Sequence, residues 1–158
     1  MNDNTSLAVA STDYVLAGID PVEADALRRR GGIAYVTDAQ PGFPCRQCLR
    51  DADIGDEMIL VSYDPFTAAS PYRSASPIFL HASTCTVLAT SELPAQLTSR
   101  RLSVRAFDAS AMMLDATLID GHDLGAAIDR LLANSDVDHL HIHNEPRGCW
   151  AARVTRPD

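Results

Sequence analysis

Three groups of residues in this chain have types and spacings that could do chemistry. Histidines alternate with apolar residues in His139-Leu140-His141-Ile142-His143, and Cys149 follows after Asn144-Glu145-Pro146-Arg147-Gly148. Alternate side chains of a strand share a face, so the three histidines point one way and Leu140 and Ile142 the other. Symmetrical closure of a hairpin would set His143 opposite Cys149, His141 opposite Ala151 and His139 opposite Arg153, with Trp150, Ala152 and Val154 on the core face beside Leu140 and Ile142. Opposed β-carbons lie about 4.5 to 5.5 Å apart. His141, His143 and Cys149 could then converge on a zinc, copper or iron ion, or act as base and nucleophile. The alternative is a polar strand face with a half-buried cysteine.

The second group is Cys45-x-x-Cys48 with His81-x-x-x-Cys85, four soft or borderline ligands at two short spacings. A two-residue gap lets both thiolates of one loop reach the same ion, so the set matches a tetrahedral Cys3His zinc site. Nothing in the sequence fixes the two halves next to each other. A redox Cys-x-x-Cys is a second reading, but such a pair opens a long helix, and Leu49 to Asp53 is too short before Gly55. Ordinary buried thiols are the third reading. The last group is arginine in loops: Arg46, Arg73 beside Tyr72, and Arg147 each sit near Pro or Gly. Converging, Arg46, Tyr72, Arg73 and Arg147 would clamp a carboxylate or phosphate; separately, they would cap carbonyls or pair with acids.

These groups need a scaffold. Residues 14–19 read as a strand. Asp20-Pro21-Val22-Glu23 starts a helix with a side-chain cap and a proline at its first position, and Gly31-Gly32 ends it after Arg28-Arg29-Arg30, whose charges suit a helix C-terminus. Strands follow at 33–37, 57–63, 77–81 and 84–89, with proline-punctuated loops at 40–48 and 64–76. Residues 102–107 and 112–119 form a hairpin. Leu124, Ala127, Ile128, Leu131 and Leu132 mark one face of a helix over 123–133, and 137–143 pairs with 149–155. The expected fold is a single α+β domain over 12–158 behind a polar tail at 1–11, with an antiparallel or mixed sheet of about seven strands and two main helices.

All thirteen basic residues are Arg, and with no Lys there is no Schiff-base or phosphate-loop lysine. No Gly-x-Gly-x-x-Gly or Gly-x-Ser-x-Gly occurs among the eight glycines. Twenty-one acidic residues bring the net charge to −8, which disfavours nucleic acids and anionic membranes as partners. The start of the chain lacks the basic and apolar runs of a secretory signal, and no apolar window is long enough for a membrane helix, so a cytoplasmic location is expected, with reduced cysteines.

His139 to His143 echoes the alternating motif of the histidine-triad hydrolases, but Asn144-Glu145 replaces the apolar pair that follows in that family. A wider resemblance runs through Pro41-Gly42-Phe43-Pro44-Cys45-Arg46, Asp51 with Gly55-Asp56-Glu57, Pro71-Tyr72-Arg73, Pro77-Ile78-Phe79, Arg105-Ala106-Phe107-Asp108 and His141-Ile142-His143-Asn144 with Gly148-Cys149. In these motifs the chain resembles domain-of-unknown-function family 1203, small bacterial proteins without an established activity. The resemblance points to Cys45, Arg46, Tyr72, Arg73, His143 and Cys149; members often carry Ser at the position of Cys48 and His near Ser76. The functional expectation is a small-molecule enzyme or ligand-binding protein for an anionic metabolite, with a transition metal such as zinc as the candidate cofactor. The competing class is a non-catalytic interaction or structural protein whose Cys, His and Arg residues only fix loops. The oligomeric state is left open.

Overall fold

The structure is a computed structural model describing residues 7–10, 13–86 and 92–158, the side chains of 7–10 excepted. The described residues form β1 (Leu7–Ala10), β2 (Val15–Ala17), α1 (Pro21–Arg30), β3 (Ile33–Val36), β4 (Glu57–Tyr63), β5 (Ser76–His81), α2 (Ala95–Thr98), β6 (Arg101–Phe107), β7 (Met113–Asp120), α3 (Leu124–Leu132), β8 (His139–Asn144) and β9 (Trp150–Thr155). The α+β class and the two main helices are as expected. The strands divide between two antiparallel sheets, however: six in the order β1-β2-β9-β8-β6-β7 and three in the order β3-β4-β5. Residues 7–10, expected to belong to a polar tail, form the edge strand β1. Of the strand expected over 84–89, residues 84–86 are irregular and 87–89 lie outside the described residues.

Local chemistry accounts for the helices. Asp20 accepts hydrogen bonds from the N–H groups of Val22 and Glu23 at 2.8 and 3.4 Å, and Pro21 needs no partner at the first helical position. Gly31 closes α1 at φ 80°, donating to the carbonyls of Leu27 and Arg28. In α3 the spacing of Leu124, Ala127, Ile128 and Leu131 buries one stripe. That stripe packs with Leu102, Val104, Ala106, Leu140, Ile142, Ala152 and Val154 in one core cluster.

The other face of the large sheet is also covered, which is why every residue from His139 to His143 is buried, histidines included. Trp150 lies there, in the cluster that joins α1 (Ala24, Leu27) to the small sheet (Met58, Val61, Tyr63, Ile78, Leu80). This corrects the expected hairpin register. His139 pairs with Thr155, His141 with Arg153 and Ile142 with Ala152, and then the register shifts so that His143 pairs with Trp150. The extra residue, Ala151, is a β-bulge; the bulge turns Trp150 onto the histidine face and away from Leu140 and Ile142. Among the described residues no helix is long and apolar enough to cross a membrane.

Candidate metal centre

The loop holding Cys45 and Cys48 is built by its own backbone. The Leu49 N–H donates to the Cys45 carbonyl at 3.1 Å, Leu49 itself takes a left-handed φ of 59°, and the Cys45 N–H donates to the Arg50 carbonyl at 3.0 Å. The result is a tight turn with both thiols on its inner side. The turn is fastened to β5: Cys45 forms a parallel bridge with Phe79, and the Arg46 N–H donates to the Phe79 carbonyl at 3.0 Å. Phe79 is two residues before His81, so this bridge brings together the halves that the sequence leaves apart. On the opposite side, the Ile19 N–H donates to the Arg46 carbonyl at 2.8 Å, and Gly18 passes so close that a Cβ there would stand 2.2 Å from the same oxygen.

The ligand atoms of Cys45, Cys48, His81 and Cys85 all lie within 4.8 Å of one another. Cys45 Sγ is 3.7 Å from Cys85 Sγ, and Cys48 Sγ is 3.7 Å from His81 Nδ1. A tetrahedral zinc ion with bonds of about 2.3 Å to sulfur and about 2.1 Å to nitrogen requires S···S edges of about 3.8 Å and S···N edges of about 3.6 Å. The two contacts match those edges. All four cysteines of the chain are free, and 3.7 Å is far beyond a disulfide bond of about 2.05 Å.

The surroundings complete the arrangement. His81 Nε2 stands 3.1 Å from Asp56 Oδ2, so the ring proton belongs on Nε2 and Nδ1 is left free for an ion. Arg28 Nε donates to the His81 carbonyl at 2.9 Å and Nη2 to Gln47 Oε1 at 2.6 Å, with Cys85 Sγ 3.9 Å away. Three thiolates, a neutral imidazole and Zn²⁺ sum to a charge of −1, which Arg28 and the buried Arg46 flank with positive charge. Without an ion, contacts with Cys48, Cys85 and His81 hold the Cys45 thiol far below the thiol range. Contacts with Cys45 and Cys48 push the Cys85 thiol up, and hydrogen bonding to Cys45 and Cys48 raises His81 to about 10. Sulfurs competing in this way for a single charge are the setting in which a divalent ion displaces the shared protons.

The remaining candidate residues supply no ligand atom to the cluster. Arg46 is buried, with Nε donating to the Trp150 carbonyl at 2.8 Å and Nη1 to the Pro44 carbonyl at 2.7 Å, so it ties chain segments together. Burial lowers its pKa to about 10, which leaves it charged. Arg73 is paired with Asp64 at 2.6 Å; Tyr72 is 42% exposed, with its ring 6.2 Å from that of Phe107. Arg147 is exposed in the β8–β9 turn. Arg46 and Arg73 have no hydrogen-bond acceptor in common. His143 Nδ1 donates to the Gly148 carbonyl at 2.8 Å, and burial lowers His143 to about 4. It is therefore a neutral imidazole, facing Trp150 instead of Cys149, whose thiol reaches the Arg147 carbonyl at 4.0 Å. His141 is fully buried and lowered by burial to about 2.

The sequence matches the family described as a protein of unknown function (DUF1203) over residues 42–156, well over half of its length. The chain belongs to the DUF1203 family. The DUF1203 region contains all four residues of the cluster and Asp56; α1 and its Arg28 lie outside it. No curated protein and no solved structure matches this DUF1203 chain. Asp56, Arg28 and Gln47 carry no sequence signal for their places around the cluster. Asp56 reads as a turn residue and Arg28 as the charged end of a helix, and only the packing of α1 and β4 beside β5 reveals their contacts.

Proposed function

We propose that this protein binds one zinc ion through Cys45, Cys48, His81 and Cys85, and that the ion is structural. The reading is carried by one observation: four ligand atoms of the right chemistry lie within 4.8 Å of one another, and the Cys45–Cys85 and Cys48–His81 edges have tetrahedral length. Four protein ligands close the coordination sphere and leave no open position for substrate, which separates structural from catalytic zinc. Bound there, zinc fastens the 44–51 loop to the end of β5 and to the chain at Cys85, in a protein whose Arg46 and Gly18 make the same loop a joint between the two sheets. A reducing cytoplasm, which keeps thiols free, suits such a site.

For Arg46 and Arg73 the loop-fixing reading is supported by their hydrogen bonds to Trp150, Pro44 and Asp64. A role as enzyme or binding protein for an anionic metabolite then falls to other groups. Elemental analysis of protein purified without added metal tests the zinc reading. About one zinc per chain is expected, and Co²⁺ exchanged into the site should show thiolate charge-transfer bands with intense tetrahedral d–d absorption. Substoichiometric metal for every element, together with failure to take up Co²⁺, would overturn it.

A further inference from the structure

The histidine face of the large sheet contains a row of two arginines and a histidine that, among the described residues, has no ion-pair partner. Arg105 of β6 pairs with His141 of β8, and His141 pairs with Arg153 of β9, so the three side chains stand side by side on one face. The next rows are Phe107, His139 and Thr155 on one side and Ser103, His143 and Trp150 on the other. Strand spacing sets the two arginine backbones about 10 Å apart, within range of two long side chains meeting over the histidine between them.

Each group of the row is left incomplete. His141 is fully buried, and neither of its ring nitrogens has a hydrogen-bond partner. Buried polar atoms normally have one. Arg105 donates only to Ser103 Oγ, at 3.1 Å, and among the described residues neither Arg105 nor Arg153 has an ion pair. The carboxylates on this side are engaged elsewhere: Asp138 with His139, Asp64 with Arg73, Glu23 with the Tyr63 hydroxyl, and Asp108 with the N–H groups of Ser110 and Met112. Two half-buried guanidiniums flank an unsatisfied imidazole in a chain of net charge −8, where acids to pair with them are plentiful.

We propose that Arg105, His141 and Arg153 bind the phosphate or carboxylate group of a small-molecule ligand. The guanidinium fork matches either oxyanion, and the neutral imidazole supplies one further N–H. Phe66 stands edge-on over His141 with ring centroids 5.1 Å apart, so an anion reaching the imidazole must shift that ring. The proposal goes beyond the zinc reading and stands without it.

The test is an NMR titration of the full chain as purified, at constant ionic strength, with inorganic phosphate in one arm and succinate in the other. The His141 ring, the Phe66 ring and the Trp150 indole N–H are the reporters. The expected result is a saturable shift of the His141 and Phe66 signals by at least one of the two anions, with affinity weakened about tenfold or more in Arg105→Gln and in Arg153→Gln. Arg101→Gln, on the same strand but paired with Glu145, should leave the affinity unchanged. Should a Gln variant fail to fold, Arg105→Lys and Arg153→Lys keep the charge while losing the fork, and the same weakening is read there. A response to phosphate alone assigns the ligand group as phosphate, and a response to succinate alone as carboxylate. No saturable shift with either anion, or shifts that the Arg105 and Arg153 variants leave unaltered, would overturn the proposal.

Discussion

Arg46 Nε donates to the carbonyl oxygen of Trp150 at 2.8 Å across 104 positions of sequence, so a guanidinium flanked by two candidate metal ligands holds the first residue of β9. The loop holding Cys45 and Cys48 and the β8–β9 hairpin are one mechanical unit through this contact.

Chelation should therefore be felt at Trp150, the chain's one tryptophan. Removing the metal should red-shift its fluorescence as the buried indole loosens, and returning zinc should reverse the shift. Arg46→Ala leaves the Trp150 and Pro44 carbonyls without partners and should cost about 2 to 4 kcal/mol in urea denaturation.

Asp56 orients His81 by accepting from Nε2. Asp56→Ala should weaken zinc affinity about 10- to 100-fold, read by competition with a chromophoric chelator, while the zinc-saturated protein keeps its fold. Unchanged affinity would show that the ring needs no such support.

Trp150 is 1% exposed and packs edge-on against Tyr63 with ring centroids 5.1 Å apart. Trp150→Ala should destabilise the protein by about 3 to 5 kcal/mol, the range for large aromatic truncations. Tyr63 aromatic resonances should move in the same variant, whereas the methyl resonances of Leu140, on the opposite face, should not.

Acid should destabilise the protein through its histidine face. His141 and His143 are held by burial to about 2 and about 4, below the unfolded value of about 6.5. The unfolded chain binds more protons below pH 6.5, so the stability these groups contribute is complete above that pH and is lost as pH falls. The loss runs at about 1.4 kcal/mol per pH unit for each ring, ending near pH 4 for His143 and continuing lower for His141. Burial lowers His139 as well, so urea melts of His141→Phe between pH 7 and 5 should show a shallower pH dependence but not a flat one. At pH 7 the variant should be neutral to stabilising, since two orphaned ring nitrogens are gone.

Features that depend on near neighbours are readable from the order of amino acids alone. Asp20, Pro21 and Gly31 bound α1 because caps and backbone freedom act within a few residues, and the stripe from Leu124 to Leu131 makes α3 because its period matches the helical turn. The two halves of the Cys/His cluster were legible as ligand types at ligand spacings. That they meet was decided by a backbone bridge between Cys45 and Phe79, a contact that leaves no trace in local pattern. The tertiary structure also decided the hairpin. A single bulged residue, Ala151, turned Trp150 across the sheet, and the covering of both sheet faces converted an expected polar surface into the buried setting of His141 between Arg105 and Arg153. Periodicity predicts which residues share a face. What covers that face, and which distant strand lies beside it, follows from packing of the whole chain, since each face is buried only when another element closes over it.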